Sequence, residues 1–425
     1  MLDIRILREQ ADFARERLAL VGCSRDEVDH VIDLDRRRRD LIMTVENMRA
    51  ERKSASKKIG SMKPGAEMEA AKTEVRSLGD RLASSEKELA DAEAEFGRRM
   101  LELPNLPHPA VPAGPDDSHN RVVRTEEPTR VFDFEPRTHW DLGETLDIID
   151  FERGVKISGT RFYVLKGDGA RLQRALITFM LDLHTREHGY TEIYPPAMVR
   201  EECLFGTGNL PKFGDNLYRD AEDDFYFVPT AEVPVTNLYR DEILDGAALP
   251  IRHVAYTPCF RREKMSAGRD VRGIKRGHQF DKVELVKFVN PEGSEAELDS
   301  LLAAAEEVCR RLGLQHRIVE MCTGDLSFVA ARKFDIEIWA PGCKEWLEVS
   351  SCSLFTDFQA RRANIRFRDS DGKVRLVHTL NGSGLALPRV MIGVIETYQR
   401  GDGSIEIPPA LRPYLGGQSV IRGVA

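Results

Sequence analysis

The stretch Tyr256 to Glu284, Y-T-P-C-F-R-R-E-K-M-S-A-G-R-D-V-R-G-I-K-R-G-H-Q-F-D-K-V-E, decides the fold of this chain. An apolar run that ends at Phe260 leads into a charged, glycine-containing middle, and an alternating run resumes at Gln279. Alternation with a period of two is typical of strands, so the stretch predicts a long β-hairpin with charged residues at its base.

The base of this hairpin carries arginines, a carboxylate and an aromatic ring. Arg261 and Glu263 are two residues apart, so an extended strand directs both to one face, and Arg276 and Phe280 are expected to do the same on the return strand. Arginines bind phosphate and a ring can stack on a base, which indicates a nucleoside triphosphate site. A solvated hairpin whose arginines face water is the alternative, and Arg-x-Glu alone does not decide between them.

Phe-Arg-x-Glu, a loop and then Arg-x-x-x-Phe resembles motif 2 of the class II aminoacyl-tRNA synthetases. The R-G-H-Q-F run at 276–280 is similar to the version found in the seryl-tRNA synthetases. That version more often carries a branched apolar residue in place of Gly277, a difference that affects the local backbone stiffness. The resemblance implies an α+β fold, with an antiparallel sheet flanked by helices and preceded by a long antiparallel α-helical coiled-coil arm.

Length and composition set further limits. The 425 residues, 41% of them hydrophobic, suffice for two or three domains with a full core. No apolar run approaches the ~20 residues of a membrane helix, and M-L-D-I-R lacks a secretory core, so we expect no membrane association and a cytoplasmic location. The seven scattered cysteines never form Cys-x-x-Cys and predict reduced thiols without a cysteine-based zinc site. A net charge of −8 disfavours a generic nucleic-acid coat protein but permits a local basic face.

The N-terminal quarter predicts two long helices. One runs from Asp26 to Gly60, K-P-G at 63–65 breaks it, and a second continues to about Leu103. Apolar residues in three-four alternation predict an antiparallel coiled-coil hairpin over about 26–103, with arms of about 50 Å at ~1.5 Å per residue. The predicted domains are an arm over 1–103, a proline-rich linker over 104–120 and a catalytic domain over 121–425.

The first of these helices is basic and the second is acidic. Their charges could simply pair across the coiled coil, or the basic stripe could bind an RNA backbone. The resemblance favours the RNA interpretation, because the arm of seryl-tRNA synthetases grips the long variable region of the tRNA. The residues predicted to contact tRNA are Arg36, Arg39, Arg49, Arg52, Lys53 and Lys57.

Two stretches ahead of motif 2 also match the family. The helix at 170–187 and the run G-Y-T-E-I-Y-P-P that follows resemble motif 1, with Pro196 at the family's position, which implies a homodimer; alone this is a common connector. Thr230-Ala231-Glu232 offers a hydroxyl and a carboxylate that suit an α-ammonium group, although it also fits a helix N-cap. It is similar to the serine-binding loop of the family.

Two stretches after motif 2 complete the set. The family places Mg²⁺ between the triphosphate and the positions of Glu348 and Ser351, although strict strand alternation puts these two on opposite faces unless the chain bulges. The H-T-L-N-G-S-G-L-A-L-P-R run at 378–389 resembles motif 3. Gly382 and Gly384, in a Gly-x-Gly turn before the next helix, are expected to permit close backbone approach, and Arg389 is expected to enter that helix where a phosphate or nucleotide could bind. A dinucleotide site is disfavoured, because the βαβ unit and the G-x-G-x-x-G pattern are missing.

The resemblance implies that serine attacks the α-phosphorus of ATP, and that seryl-adenylate then charges tRNA(Ser); charging of tRNA(Sec) stays open. Arg261 is expected to bridge the serine carboxylate and the α-phosphate, Glu263 to face the adenine or ribose, and Phe280 to stack on adenine. Arg276 is expected to hold the terminal phosphates, with Arg389 across the nucleotide from it. The predicted catalytic residues are Arg261, Glu263, Arg276 and Arg389; the ATP site adds Arg262, Gly277, Phe280, Glu348, Val349, Ser350 and Ser351; the serine site comprises Thr230, Ala231, Glu232, Arg261, Glu284 and Ser383.

Two other classes of protein compete with this hypothesis. A class II relative could activate an amino acid without charging tRNA, but such relatives typically lack the arm that this chain has. A non-catalytic RNA-binding paralogue should have lost Arg261, Glu263 or Arg389, and all three are present. Glu284 and Ser383, which are proposed to bind the serine hydroxyl, would discriminate against alanine by leaving buried polar groups unpaired.

Overall fold

The computed structural model describes residues 1–264 and 272–423. The middle of the predicted hairpin, 265–271, therefore lies outside the described residues. The chain forms two compact units, one of residues 2–104 and one of residues 105–425 together with Met1. Within the described ranges, no helix has both the length and the apolar character needed to cross a bilayer.

The helices and strands alternate irregularly along the chain. The helices are α1 Ile4–Glu9, α2 Ala11–Ala19, α3 Arg25–Gly60, α4 Ala66–Glu102, α5 His139–Thr145, α6 Phe151–Ser158, α7 Asp168–Arg186, α8 Glu201–Thr207, α9 Glu232–Thr236, α10 Ser294–Arg311, α11 Phe358–Ala363 and α12 Leu387–Thr397. The strands are β1 Arg121–Thr125, β2 Ile149–Asp150, β3 Val164–Leu165, β4 Thr191–Ile193, β5 Met198–Arg200, β6 Phe225–Phe227, β7 Ile243–Asp245, β8 Ile251–Phe260, β9 Gln279–Val289, β10 His316–Glu320, β11 Arg332–Ala340, β12 Glu345–Thr356, β13 Arg366–Arg368, β14 Val374–Leu376, β15 His378–Ala386, β16 Ile405–Glu406 and β17 Val420–Ile421.

The first unit is dominated by the paired helices α3 and α4. Ser24 begins α3 with a capping box, because its side chain accepts from the backbone of Glu27 while Glu27 binds back to the Ser24 backbone. The helices contact each other along apolar positions that are buried, among them Val31, Val45 and Leu82. This pairing confirms the predicted coiled-coil arm.

The second unit is built on an eight-stranded sheet in the order β1-β10-β11-β12-β15-β9-β8-β4. All neighbouring strands in it are antiparallel except β4 and β8, which are parallel. Apolar residues of α7, α10 and α12 pack against one face and form the main core. The predicted α+β class, with an antiparallel sheet flanked by helices, is therefore confirmed.

Strand β9 shows how the sheet separates apolar from charged side chains. Val283 and Leu285 are buried in the main core, whereas Lys282 and Glu284 alternate with them and point to the other face. Both charged residues are almost fully buried, with exposed fractions of 6% and 1%. Buried charges require partners, so this face must contain a polar site.

Most of the segment predicted as a linker is packed on the second unit. The Asn105 side-chain amide donates to the backbone carbonyls of Val329, at 2.9 Å, and Phe355, at 2.8 Å, and Val111 is buried. Residues 105–120 therefore belong to the second unit, because its backbone satisfies their polar groups.

Period-two alternation wrongly predicts strand conformation at the base of the hairpin. Strand β8 ends at Phe260 and β9 begins at Gln279, so Arg261, Glu263 and Arg276 lie outside the strands. Glu263 adopts a φ of 52°, in the left-handed region. The strand argument for these side chains is therefore wrong, and their convergence has the different cause described below.

Leu82→Ala is expected to loosen the arm. Leu82 is 3% exposed, and truncating a buried leucine costs about 3 kcal/mol through lost burial and the cavity left behind. Hydrogen exchange measured on peptides from α3 and α4 should become faster. Met43→Ala is the matched control, since Met43 on α3 is 61% exposed; equal exchange rates in the two variants would contradict the proposed packing.

Candidate active site

Residues from separate parts of the chain line one cleft of about 450 Å³, a volume in the usual range of small-molecule sites. Arg261, Glu348 and Arg389, from the three regions singled out in the sequence, all line it. The predicted residues in its wall are Thr230, Glu232, Arg261, Glu263, Arg276, Gly277, Phe280, Glu284, Glu348, Val349, Ser351, Ser383 and Arg389. Three other predicted residues do not line it: Ala231 and Ser350, which are buried, and Arg262, which is exposed.

Hydrogen bonds between the two ends of the loop bring the arginines together. The backbone N–H of Arg261 donates to the His278 carbonyl at 2.9 Å, and the Nδ1 of His278 is 3.0 Å from the Arg261 carbonyl. The Arg261 guanidinium lies 5.1 Å from the Phe280 ring centre and donates to the Pro229 carbonyl at 3.2 Å. These contacts, rather than strand alternation, aim Arg261 into the cleft.

The return end of the loop is held equally closely. Arg276 donates to Glu263 at 3.1 Å, so that both side chains face the same part of the cleft. A Cβ at Gly277 would lie 3.0 Å from the Gln279 carbonyl oxygen and 3.2 Å from that of Arg161. A side chain at position 277 would therefore require its neighbours to move, which gives a local reason for the glycine.

A bulge in β12 brings Glu348 and Ser351 to the same face. Ile336 of β11 pairs with Ser350 and the next residue pairs with Glu348, so Val349 is the extra residue. The Ser351 hydroxyl donates to the Glu348 carboxylate at 3.0 Å. The sequence placed Glu348 and Ser351 on opposite faces unless the chain bulges, and the chain does bulge here.

The Glu348 carboxylate is held in its ionised form. Desolvation raises its pKa, but the charges of Arg389 and Lys333 outweigh that effect and lower the pKa of Glu348 to about 2. A carboxylate next to a hydroxyl offers two hard oxygen ligands, which is the donor chemistry that Mg²⁺ prefers. The residues present therefore fit a magnesium ion.

Motif 3 differs from its sequence interpretation. Gly382 and Gly384 belong to strand β15, so the predicted Gly-x-Gly turn is wrong. Ser383 pairs with Glu284 of β9, but a register shift follows and makes Gly384 an extra residue. A Cβ at Gly384 would lie 2.8 Å from the Nε2 of His184, which confirms the close approach predicted for this glycine.

Arg389 lies in the first turn of α12, as predicted. Its guanidinium donates to the Glu348 carbonyl at 2.7 Å and to the Lys275 carbonyl at 3.4 Å. The arginine thus connects α12 with β12 and with the return end of the hairpin loop. Its position in the cleft follows from both contacts.

Two buried carboxylates occupy one end of the cleft. The Asn381 side-chain amide donates to both Glu232 and Glu284, each at 2.9 Å. Glu232 also accepts from Gln359 at 2.6 Å, and Glu284 forms an ion pair with Lys282. We call these five residues the acidic cluster.

The acidic cluster has capacity for a further positive charge. Burial, and then the nearby charge of Glu284, raise the pKa of Glu232 to about 7. A cationic group entering the cluster would therefore favour the ionised form of Glu232. Ser383 lies beside it, with its hydroxyl 3.5 Å from Glu284, so a small ligand with an ammonium and a hydroxyl group would find partners here.

Sequence reasoning missed several residues of the cleft. Lys282 could have been found, because it lies two residues before Glu284 and shares its strand face. Asn381 and Gln359 carry no local signal, since only the tertiary fold brings them to Glu232. Lys275, which forms an ion pair with Glu345, was also missed.

The fold and the cleft are those of the class II aminoacyl-tRNA synthetases. A family model of the tRNA synthetase class II core domain (G, H, P, S and T) matches residues 215–398. A second model, the seryl-tRNA synthetase N-terminal domain, matches residues 1–107. Both units of the chain are thus covered at least in part.

Relatives of known name match this chain over nearly its whole length. A serine–tRNA ligase of Thermomicrobium roseum is 60% identical over 99% of this chain and 95% of its own length. One from a Roseiflexus species is 60% identical over 99% of this chain and 100% of its own length. The crystal structure of the Pyrococcus horikoshii seryl-tRNA synthetase complexed with ATP superposes with a TM-score of 0.93, at 37% identity and full coverage of both chains. The chain belongs to the seryl-tRNA synthetase family of aminoacyl-tRNA ligases.

Asn381→Ala is expected to destabilise the protein, and more so at high pH. The pKa of Glu232 is raised in the folded protein. The stability that its protonated carboxyl contributes to the fold is therefore present at low pH and is lost as the pH rises through about 7. Without the shared amide, two ionised carboxylates face each other at pH 8, whereas a protonated Glu232 can donate to Glu284 at pH 6. Leaving buried acceptors unpaired costs about 1–3 kcal/mol.

Urea unfolding midpoints at the two pH values measure this effect. Asn47→Ala, at an exposed position of α3, is the control and should show little change at either pH. An equal loss for Asn381→Ala at pH 6 and pH 8 would contradict the electrostatic explanation.

Proposed function

We propose that this chain activates L-serine with ATP and transfers the serine to the 3′ end of tRNA(Ser). One observation carries the proposal: Arg261, Glu348 and Arg389 line a single cleft that ends at the acidic cluster. A polyanion and a small amino acid can therefore bind next to each other. No covalent nucleophile is needed, since positioning and charge neutralisation are the main requirements of such a transfer.

In the first step a serine carboxylate oxygen attacks the α-phosphorus of ATP, and the bond to pyrophosphate breaks. Arg261 bridges the serine carboxylate and the α-phosphate, and Arg276 and Arg389 neutralise the other phosphate oxygens. Phe280 stacks on the adenine, with Glu263 toward the adenine or ribose. A 2′- or 3′-hydroxyl of the terminal adenosine of tRNA then attacks the serine carbonyl, and AMP leaves.

Mg²⁺ would be held by Glu348 and Ser351. Their side-chain oxygens are adjacent, and the carboxylate is ionised at neutral pH. When bound, the ion supplies charge neutralisation for the phosphate oxygens. Glu348 also keeps Arg389 in place, since the arginine donates to its carbonyl and lies 3.7 Å from its carboxylate.

Selectivity for serine is assigned to the acidic cluster and its neighbours. Glu232 with Thr230 binds the α-ammonium group, and Glu284 with Ser383 binds the hydroxyl. Alanine is rejected because it would leave these buried groups unpaired, a discrimination that is much stronger than that from one methyl group. Threonine is excluded by the surrounding walls.

Binding of tRNA is assigned to α3. Its six predicted tRNA contacts are all exposed, but Arg36, Arg39 and Arg49 form ion pairs with acidic residues of the arm. The other three, Arg52, Lys53 and Lys57, have no ion-pair partner within the described residues of the arm. We propose that these three bind the phosphate backbone of tRNA(Ser). The homodimer, the charging of tRNA(Sec) and the cytoplasmic location stay predictions.

Serine-dependent exchange of labelled pyrophosphate into ATP tests the first step. Exchange is expected with serine and not with threonine or alanine, and Arg261→Ala should lower kcat/KM by at least about 100-fold. Arg368→Ala, at an exposed position on β13, is the control for loss of one arginine. Exchange that depends on threonine or proline but not on serine would overturn the specificity.

The triple variant Arg52→Ala, Lys53→Ala, Lys57→Ala tests the role of the arm. It should weaken tRNA charging and lower the salt dependence of tRNA binding by about 2–3 in log–log slope, while pyrophosphate exchange stays unchanged. Lys72→Ala, Arg76→Ala, Arg81→Ala on α4 removes the same charge from the other helix and serves as the control. An equal loss in the two triple variants would place the interface elsewhere.

A further inference from the structure

A buried histidine and a buried glutamate lie behind the cleft without lining it in the described structure. His139 begins α5 and Glu396 lies near the end of α12, and both have exposed fractions of 0%. The backbone N–H of His139 donates to the Oε1 of Glu396 at 2.9 Å, and its ring Nδ1 is 2.8 Å from the same oxygen. One carboxylate oxygen thus holds both the backbone and the ring of His139.

The other ring nitrogen defines the direction of the chain of hydrogen bonds. The backbone N–H of Ile274 approaches the Nε2 of His139 at 3.2 Å. Because a backbone N–H can only donate, Nε2 is the acceptor, so the ring hydrogen is on Nδ1 and is donated to Glu396. Ile274 precedes Lys275 and Arg276 directly, so His139 fixes the backbone that leads into the cleft.

Helix α12 holds this segment at a second point. Arg389 and Glu396 are seven residues apart, which is two helical turns, so they lie on the same side of α12. Arg389 donates to the Lys275 carbonyl, while Glu396 acts through His139 on the N–H of Ile274. One helix thus secures consecutive residues of the return end of the hairpin loop.

The approach of the loop to His139 is close enough to exclude a side chain. Gly273 has a φ of 73°, and a Cβ there would be 2.0 Å from the Nε2 of His139. Both the left-handed backbone and the lack of space favour glycine. A glycine at position 273 thus allows the backbone to pass close to His139 just before the Ile274 contact.

The same carboxylate also satisfies the turn between β11 and β12. Its Oε2 accepts from the backbone of Gly342 at 2.9 Å and of Cys343 at 3.0 Å, and the Cys343 thiol donates to Oε1 at 3.0 Å. The ligand atoms of His139, Cys343 and Glu396 lie within 4.8 Å of one another, as in a metal site. These atoms are engaged in hydrogen bonds, which favours a structural clasp over metal binding.

We infer that His139 and Glu396, the clasp, are positioning residues for Arg276 and so for the terminal phosphates of ATP. The inference rests on the role proposed above for Arg276. The clasp joins α5, α12 and the β11–β12 turn to the residue pair that precedes Arg276. The clasp thereby affects the binding of ATP and not the acidic cluster, where serine is proposed to bind.

Two substitutions of His139 separate its contacts. In His139→Asn the amide replaces the Nδ1 side of the ring and cannot reach Ile274, whereas in His139→Gln the side-chain carbonyl reaches the Nε2 position. In pyrophosphate exchange, His139→Asn is expected to raise KM for ATP about tenfold with KM for serine changed less than about threefold. His139→Gln should restore most of the affinity for ATP.

A double-mutant cycle shows whether the effect passes through Arg276. Arg276→Ala should raise KM for ATP, and adding His139→Asn to it should raise KM by less than about threefold more. If Arg276→Ala has no effect, the proposed role of Arg276 fails. If Arg276→Ala raises KM for ATP but His139→Asn does not, or if their effects multiply, the clasp inference is overturned.

A matched control removes a comparable buried histidine. His316 on β10 is 2% exposed and its Nε2 is 3.2 Å from Glu306, a buried glutamate. His316→Asn should lower the thermal midpoint about as much as His139→Asn, with KM for ATP unchanged. Should His139→Asn fail to fold, Glu396→Leu, which removes the acceptor of both His139 contacts, is expected to give the same selective rise in KM for ATP; an unchanged KM would overturn the inference.

Discussion

Two extra residues in one antiparallel sheet create the geometry on which the cleft depends. Val349 in β12 and Gly384 in β15 are each unpaired with the neighbouring strand. Because Val349 is an extra residue, the side chain of Glu348 lies on the same face of the sheet as that of Ser351. Gly384 directly follows Ser383. A regular ladder would turn the corresponding side chains to opposite faces. Two further register shifts occur in the same sheet, between Val122 and Arg124 of β1 and between Leu354 and Thr356 of β12.

Electrostatic balance is the second constraint on the site. Glu232 and Glu284 are buried close to each other, and Lys282 offsets only part of their charge. A ligand with a positive group would relieve the repulsion, while elsewhere in the cleft Arg261, Arg276 and Arg389 offer positive charge to an anion. The acidic cluster and the arginines therefore favour ligand groups of opposite charge, as the proposed amino acid and triphosphate would supply.

Helix α12 connects these features. Its first turn supplies Arg389 to the cleft, and two turns later Glu396 acts through His139 on the residues before Arg276. Because the helix also contributes apolar residues to the main core, any shift of the core would move both contacts together. Helix α12 thus connects the packing of the core with the site proposed for the phosphates.

The sequence by itself determined the fold class, the helical arm and the identity of thirteen residues in the cleft. Periodicity is local, so α3, α4 and the strand character of β9 could be predicted from it, and the motif resemblance pointed to Arg261, Glu348 and Arg389. Local patterns failed where the backbone departs from regular geometry, as at Glu263 and in the supposed Gly-x-Gly turn. Pairing between strands decides such departures, and it depends on residues far apart in the chain.

Only the tertiary structure decided which distant polar groups meet. Asn381 and Gln359 have no local pattern, yet they complete the acidic cluster, and His139 reaches Glu396 across more than half of the chain. The physical reason is that a buried polar group must find a partner wherever the fold places one. A short stretch of sequence carries the chemistry of a side chain, but the partner that satisfies it is chosen by the packing of the whole unit.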